Sequence, residues 1–170
     1  MKKFKPVFIF TWLILIFSFA VQAQTGTTVA KTQSATALVA RELKLESKLM
    51  SRQMPYHLIL PNGYDEAANK TKKYPVIYLL HGLTGHYNNW AEKTKLAEYA
   101  MKYQYIIAMP EGDNGWYSDS VTVPNDKYES YIIQELIPEI DKNFRTVGDK
   151  NHRIIAGLSM GGYGSLKFGL

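Results

Sequence analysis

The 170-residue sequence predicts an α/β fold with a mostly parallel central sheet. Three apolar runs of strand length carry that reading: "YPVIYLLHG" (residues 74–82), "YIIAMP" (105–110) and "RIIAGL" (153–158). Runs of this kind, closed by glycine or proline, suit strands buried on both faces. Stretches with apolar residues at helical spacing stand between them, and the last run enters a further helix directly.

In chain order, "LKLESKLM" (43–50) alternates apolar and polar, and "MPYHLILP" (54–61) follows after Ser51-Arg52-Gln53, so two early strands are expected. "PNGYDEAANKTKK" is turn-rich and charged, a surface loop. "NNWAEKTKLAEYAMKYQ" sets Trp90, Leu96, Ala97, Tyr99 and Ala100 at the spacing of a single helix. "EGDNGWYSDSVTVPN" is a long loop after the second buried strand. Asp126 is placed to cap a helix reaching about Phe144, with Ile132, Leu136 and Ile140 on one face. Pro138 should kink that helix, because its ring removes one backbone bond and crowds the preceding turn.

The first residues read differently. Lys2, Lys3 and Lys5 precede an apolar run from Val7 to Ala20, and Val21-Gln22-Ala23 offers small residues for signal peptidase. The run is shorter than the ~20 residues of a spanning helix. Export with cleavage near Ala23 is therefore expected, followed by a flexible leader over 24–42 and one domain over 43–170. Without residues 1–23 the formal charge falls from +5 to +2, and no basic patch argues for nucleic acid. With no cysteine there is no disulfide framework and no thiolate metal site. The 12 tyrosines would suit a sugar-lined or interface surface.

Chemistry concentrates in Gly157-Leu158-Ser159-Met160-Gly161, a G-x-S-x-G pattern joining a buried strand to a helix without a linker. Such a turn strains the serine backbone and exposes its hydroxyl, and the flanking glycines let strand and helix approach. Gly162 and Gly164 are expected to keep the first helical turn slim. "LLHGLTGHYNNW" is the second constellation: a His-Gly pair after a strand can turn the loop back so that Leu83 N–H joins Met160 N–H in an oxyanion hole. In "WYSDS", Trp116, Tyr117 and Asp119 could stack on and hydrogen-bond a sugar or phenolic ring, or simply pack the loop. The acids of "EGDNGWYSDS" lack the spacing of a calcium loop, and no phosphate or dinucleotide fingerprint occurs, so neither metal nor cofactor is expected.

"YPVIYLLHGLTGHYNNW", "WYSDS", "YIIQELIPEID" and "IIAGLSMGGYGSLK", in this order, resemble the esterase D and tributyrin esterase group of α/β-hydrolases. That group includes secreted feruloyl and acetylxylan esterases, with mycolyltransferases as distant relatives. The resemblance implies a serine esterase with Ser159 as nucleophile and Leu83 and Met160 as oxyanion donors. It also implies a triad acid and histidine beyond Leu170, so the chain is expected to be an incomplete hydrolase, inactive alone. Acyl transfer to a sugar hydroxyl and a catalytically dead binding module are the alternatives. His152 precedes the strand that delivers Ser159, which puts it about 20 Å from the serine along extended chain; His57 lies in an early strand, and His81 and His86 belong to the oxyanion loop.

Overall fold

The computed structural model describes residues 40–169, so the expected signal peptide and most of the leader lie outside the described residues. A five-stranded sheet runs in the order β1-β2-β4-β3-β5, with β1 Arg41–Ser47, β2 Arg52–Ile59, β3 Val76–Leu80, β4 Ile106–Pro110 and β5 Arg153–Gly157. The β4–β3 and β3–β5 pairs are parallel, whereas β1–β2 and β2–β4 are antiparallel. The sheet is thus mixed, because both early strands pair antiparallel. Strand β1 begins at Arg41, two residues inside the expected leader.

Successive strand residues point to opposite faces, and this period of two divides the core. Val76, Tyr78, Leu80, Ile106 and Ala108 meet Tyr131, Ile132, Leu136, Ile140 and Met160 on one face. Ile77, Leu79, Ile107 and Met109 meet Trp90, Leu96 and Ala100 on the other. All five residues of β4 are buried, as the run of apolar residues predicts. Strand β5 is only half-covered, with Ile154 43% exposed, since among the described residues it pairs on one side alone. Seven of the 12 tyrosines line the core rather than an open surface.

Two helices depart from expectation. The segment after β3 forms α1 Asn89–Lys93 and α2 Leu96–Lys102, broken at Thr94, whose backbone is extended (φ −135°). Its hydroxyl donates to Trp90 O and accepts Leu96 N–H at 3.1 Å, so a local side-chain bond replaces the helical one. The later helix opens as α3 Tyr128–Ser130, widens into a π-helical segment Tyr131–Leu136, and closes as α4 Ile137–Asn143. Ile137 N–H reaches back to Ile132 O, the five-residue step of a π turn. The wide turn directly precedes Pro138, where a regular turn would meet the proline ring, so the expected kink becomes a change of pitch. Asp126 caps nothing with its side chain; Asp119 does that work instead, accepting Ser130 N–H at 3.0 Å and the Ser130 hydroxyl at 2.6 Å. Helix α5, Met160–Gly169, leaves β5 at once.

Candidate active site

Among the described residues, six non-glycine residues have left-handed backbone: Ser51, Thr84, Asp113, Trp116, Tyr117 and Ser159. All but Ser51 follow the C-terminal ends of β3, β4 or β5. Each conformation costs on the order of 1–3 kcal/mol and survives only where surrounding contacts hold it. Strain therefore gathers along the sheet edge where open parallel sheets bind ligands.

Ser159 (φ 54°) is exposed at the turn from β5 into α5, as the G-x-S-x-G pattern predicts. The turn is possible because strand and helix touch backbone to backbone. A Cβ on Gly157 would overlap the peptide of Gly161, and one on Gly161 would sit 2.7 Å from His81 O and closer still to Leu80 O. Gly164 is needed for another reason: a Cβ there would lie 2.7 Å from the Tyr117 ring. Gly162 meets only Gly157 O, at 3.5 Å, so it is not required for slimness.

The loop after β3 lies against this turn, and a Cβ on Gly82 would come 3.6 Å from that of Ser159. The loop's backbone groups are tied down one after another. Leu80 O accepts Trp90 Nε1–H at 3.0 Å, and His81 O accepts the Tyr117 hydroxyl at 3.0 Å. Gly82 O accepts from His81 Nδ1 at 2.8 Å and from Gly85 N–H at 3.0 Å. Thr84 N–H donates to Asn114 Oδ1 at 2.8 Å. Among the described residues, Leu83 N–H and Met160 N–H have no partner. Met160 follows the exposed Ser159 in the chain and Leu83 follows Gly82, which packs beside that serine, so both free donors adjoin the serine turn.

Behind the loop, Glu111 is buried at the end of β4 and faces His81 Nε2 at 3.0 Å and His86 Nδ1 at 3.1 Å. It also accepts Gly112 N–H at 3.0 Å and Asp113 N–H at 2.7 Å. Burial works to raise the Glu111 carboxyl, but the His81 bond and the backbone donors outweigh it and hold it at about 2. His86, Glu111 and Asp113 bring potential ligand atoms within 4.8 Å of one another. Asp113 Oδ2 takes Arg52 and the Tyr128 hydroxyl at 2.7 Å each, and His86 Nδ1 faces Glu111. The cluster is a hydrogen-bond hub. Its anchor, Glu111, escaped the sequence reading; a carboxylate directly after an apolar strand was the available signal.

The "WYSDS" residues separate. Trp116 is 48% exposed, and its ring meets that of Tyr163 edge-on at 5.8 Å. Tyr163 sits one helical turn after Ser159, with its N–H on Ser159 O at 3.0 Å. Tyr117 is 0% exposed, and burial pushes its hydroxyl well above the usual range, so it packs the loop rather than facing solvent. Asp119 is spent on Ser130. Burial works to raise its carboxyl, and the Ser130 hydroxyl and N–H together with Lys127 hold it below the usual range. Tyr163, not expected from sequence, takes Tyr117's place beside Trp116.

None of the chain's four histidines bonds to Ser159. His152 pairs with Asp149 at 2.9 Å at the opposite end of β5. His57 is buried in β2 against the Tyr87 ring at 4.9 Å.

A mixed sheet with helices on both faces and a strained serine turn at a strand end is the architecture of the α/β-hydrolase esterases. The chain belongs to the Esterase family, whose model matches residues 47–170. It is 29% identical over 136 residues to an acetyl esterase of Caldicellulosiruptor saccharolyticus, covering 76% of this chain and 50% of that protein. It is 35% identical over 127 residues to an endo-1,4-beta-xylanase/feruloyl esterase of Xylanibacter ruminicola, covering 68% and 17%. Among solved structures, a ferulic acid esterase superposes with a TM-score of 0.69 at 33% identity, over 77% of this chain and 52% of that one. The fluorophosphonate-binding serine hydrolase F of Staphylococcus aureus gives 0.69 at 26% identity, over 77% and 51%. The chain thus spans half or less of the curated relatives' length and about half of the solved structures.

Proposed function

We propose that the protein is an exported serine esterase acting through an acyl-enzyme on Ser159. The observation that carries this is the strained, exposed Ser159 beside two unpaired N–H groups. The serine oxygen attacks the ester carbonyl carbon, and Leu83 and Met160 N–H receive the charge that develops on the carbonyl oxygen. The alcohol departs with a proton, leaving an acyl-serine that water then cleaves. Because all four histidines are engaged elsewhere or distant, the base and its acid partner come from sequence outside these 170 residues. The length of the relatives supports that reading. Export rests on the basic and apolar run of residues 1–23.

The substrate class we favour is an ester linked to carbohydrate. The Xylanibacter relative, whose name joins a xylanase to a feruloyl esterase, supports it. So does the exposed Trp116–Tyr163 pair, a surface on which a sugar or phenolic ring can lie. The test uses the full-length gene product. It should be labelled by a fluorophosphonate probe and should hydrolyse p-nitrophenyl acetate, and Ser159→Ala should abolish both. A protein that hydrolyses esters equally well after Ser159→Ala would remove the serine from the mechanism, and one that neither labels nor hydrolyses would be a binding module.

A further inference from the structure

Gly82 O and Leu83 N–H belong to one peptide unit. Whatever donates to that oxygen draws electron density from the amide and makes its N–H a stronger donor. The oxygen receives His81 Nδ1–H at 2.8 Å, and a carbonyl can only accept, so the proton on Nδ1 is set by chemistry. The other ring nitrogen lies 3.0 Å from Glu111 Oε1 and 2.9 Å from Gly112 N. A carboxylate also only accepts, so the two bonds together need a proton on each ring nitrogen, an imidazolium paired with Glu111, while Gly112 N–H turns to Glu111 Oε1 at 3.0 Å. Both side chains are buried, with His81 at 2% and Glu111 at 5% exposure, where such chains are poorly screened.

We propose that Glu111 and His81 form a relay that polarises the Gly82–Leu83 peptide, so that a buried carboxylate strengthens one oxyanion-hole donor from behind. The chain runs from Glu111 Oε1 through the imidazole to Gly82 O and out through Leu83 N–H. No covalent bond changes. As negative charge develops on the substrate oxygen, Leu83 N–H binds it more tightly and the imidazole donates more strongly to Gly82 O. Glu111 in turn offsets the positive charge of the imidazolium, which carries a proton on each nitrogen throughout. Two further contacts keep the relay in line: the Tyr117 hydroxyl holds His81 O at 3.0 Å, and Gly112 and Asp113 N–H fix the Glu111 carboxylate. Glu111 and His81 are positioning residues here, since neither touches substrate. His86 approaches the second Glu111 oxygen at 3.1 Å from a largely exposed position and lies outside the chain.

This rests on the reading of Ser159 as nucleophile, and the experiment separates the two. In the full-length enzyme, Glu111→Gln keeps size and an acceptor oxygen while removing the charge. Removing a whole oxyanion donor costs roughly 10²–10³ in kcat. Weakening one by the roughly 10–30% that bond cooperativity supplies should lower kcat roughly twofold to eightfold with KM unchanged. The decisive readout is the carbonyl stretch of the acyl-enzyme formed with an isotope-labelled ester, which should move to higher frequency in Glu111→Gln and further in His81→Gln. If His81→Gln does not fold, Glu111→Gln decides alone. An unmoved stretch and unchanged kcat in Glu111→Gln, with only a lower melting temperature, overturn the relay and leave the pair structural. A wild-type enzyme that forms no adduct on Ser159 overturns the serine reading itself and the relay with it.

Discussion

Gly161 and Gly162 are neighbours in the first turn of α5, yet their replacement by alanine should act in opposite directions. A Cβ at Gly161 would stand 2.7 Å from His81 O and nearer to Leu80 O, both fixed backbone atoms. An ordinary contact is about 3.4 Å, so α5 must retreat from the end of β3 by on the order of 1 Å. Overpacking of this kind costs about 1–3 kcal/mol. The same retreat carries Ser159 and Met160 N–H away from the Gly82 loop, and a misplacement of that size costs roughly 10²-fold in rate. At Gly162 the new methyl meets only Gly157 O, at 3.5 Å. There alanine gains about 1 kcal/mol from helix propensity. Urea denaturation of both variants at constant m measures the difference, and ester turnover gives the second axis. The reasoning is refuted if Gly161→Ala is as stable as the parent, or if the two variants move together.

Further outcomes follow from the same contacts. Glu135 accepts Lys48 N–H at 3.0 Å, Leu49 N–H at 3.2 Å and the Ser47 hydroxyl, so Glu135→Ala should cost about 1–3 kcal/mol by chemical denaturation. Glu111 is held at about 2, below its ordinary 4.5. A depressed carboxyl stabilises fully above its unfolded value, so that contribution, on the order of 3 kcal/mol, should fade between about pH 4.5 and 2. Glu111→Gln should flatten that part of the stability–pH profile, and an unaltered slope would contradict the assignment. Trp116→Ala should raise KM for esters bearing a ring and leave those of acyclic esters unchanged, with little effect on folding, because the indole is half exposed. Asp119→Asn should lower the melting temperature while the KM of the folded enzyme stays normal, since both carboxylate oxygens go to Ser130.

Much of this arrangement is legible in the chain because simple local rules dominate it. The buried strands β3 and β4 follow from unbroken apolar runs, and the serine turn follows from glycines where strand meets helix. Leu83 and Met160 could be placed because the loop and the helix begin where those strands end. What escaped depends on partners distant in sequence. The break at Thr94 turns on its hydroxyl, and the π segment before Pro138 is a tertiary accommodation of one ring. For Tyr117 and Asp119 the sequence left binding and loop packing equally open, because loop aromatics and acids do either. Their inward roles need Gly164 and Ser130, and a glycine inside a helix was the visible sign of a ring packed on it. Glu111 gave little sign, because its partners come from 25 to 30 residues away.

The buried ring of Tyr117 touches three parts of the site at once. Its hydroxyl holds the end of β3 at His81 O, its edge fills the space at Gly112 after β4, and its face lies on Gly164 of the serine helix. The loop after β3, the loop after β4 and the helix that follows Ser159 therefore share a single spacer. The loop carrying Trp116 can change outside Tyr117 without disturbing the position of Ser159. Any insertion that shifts the phenol shifts the serine with it.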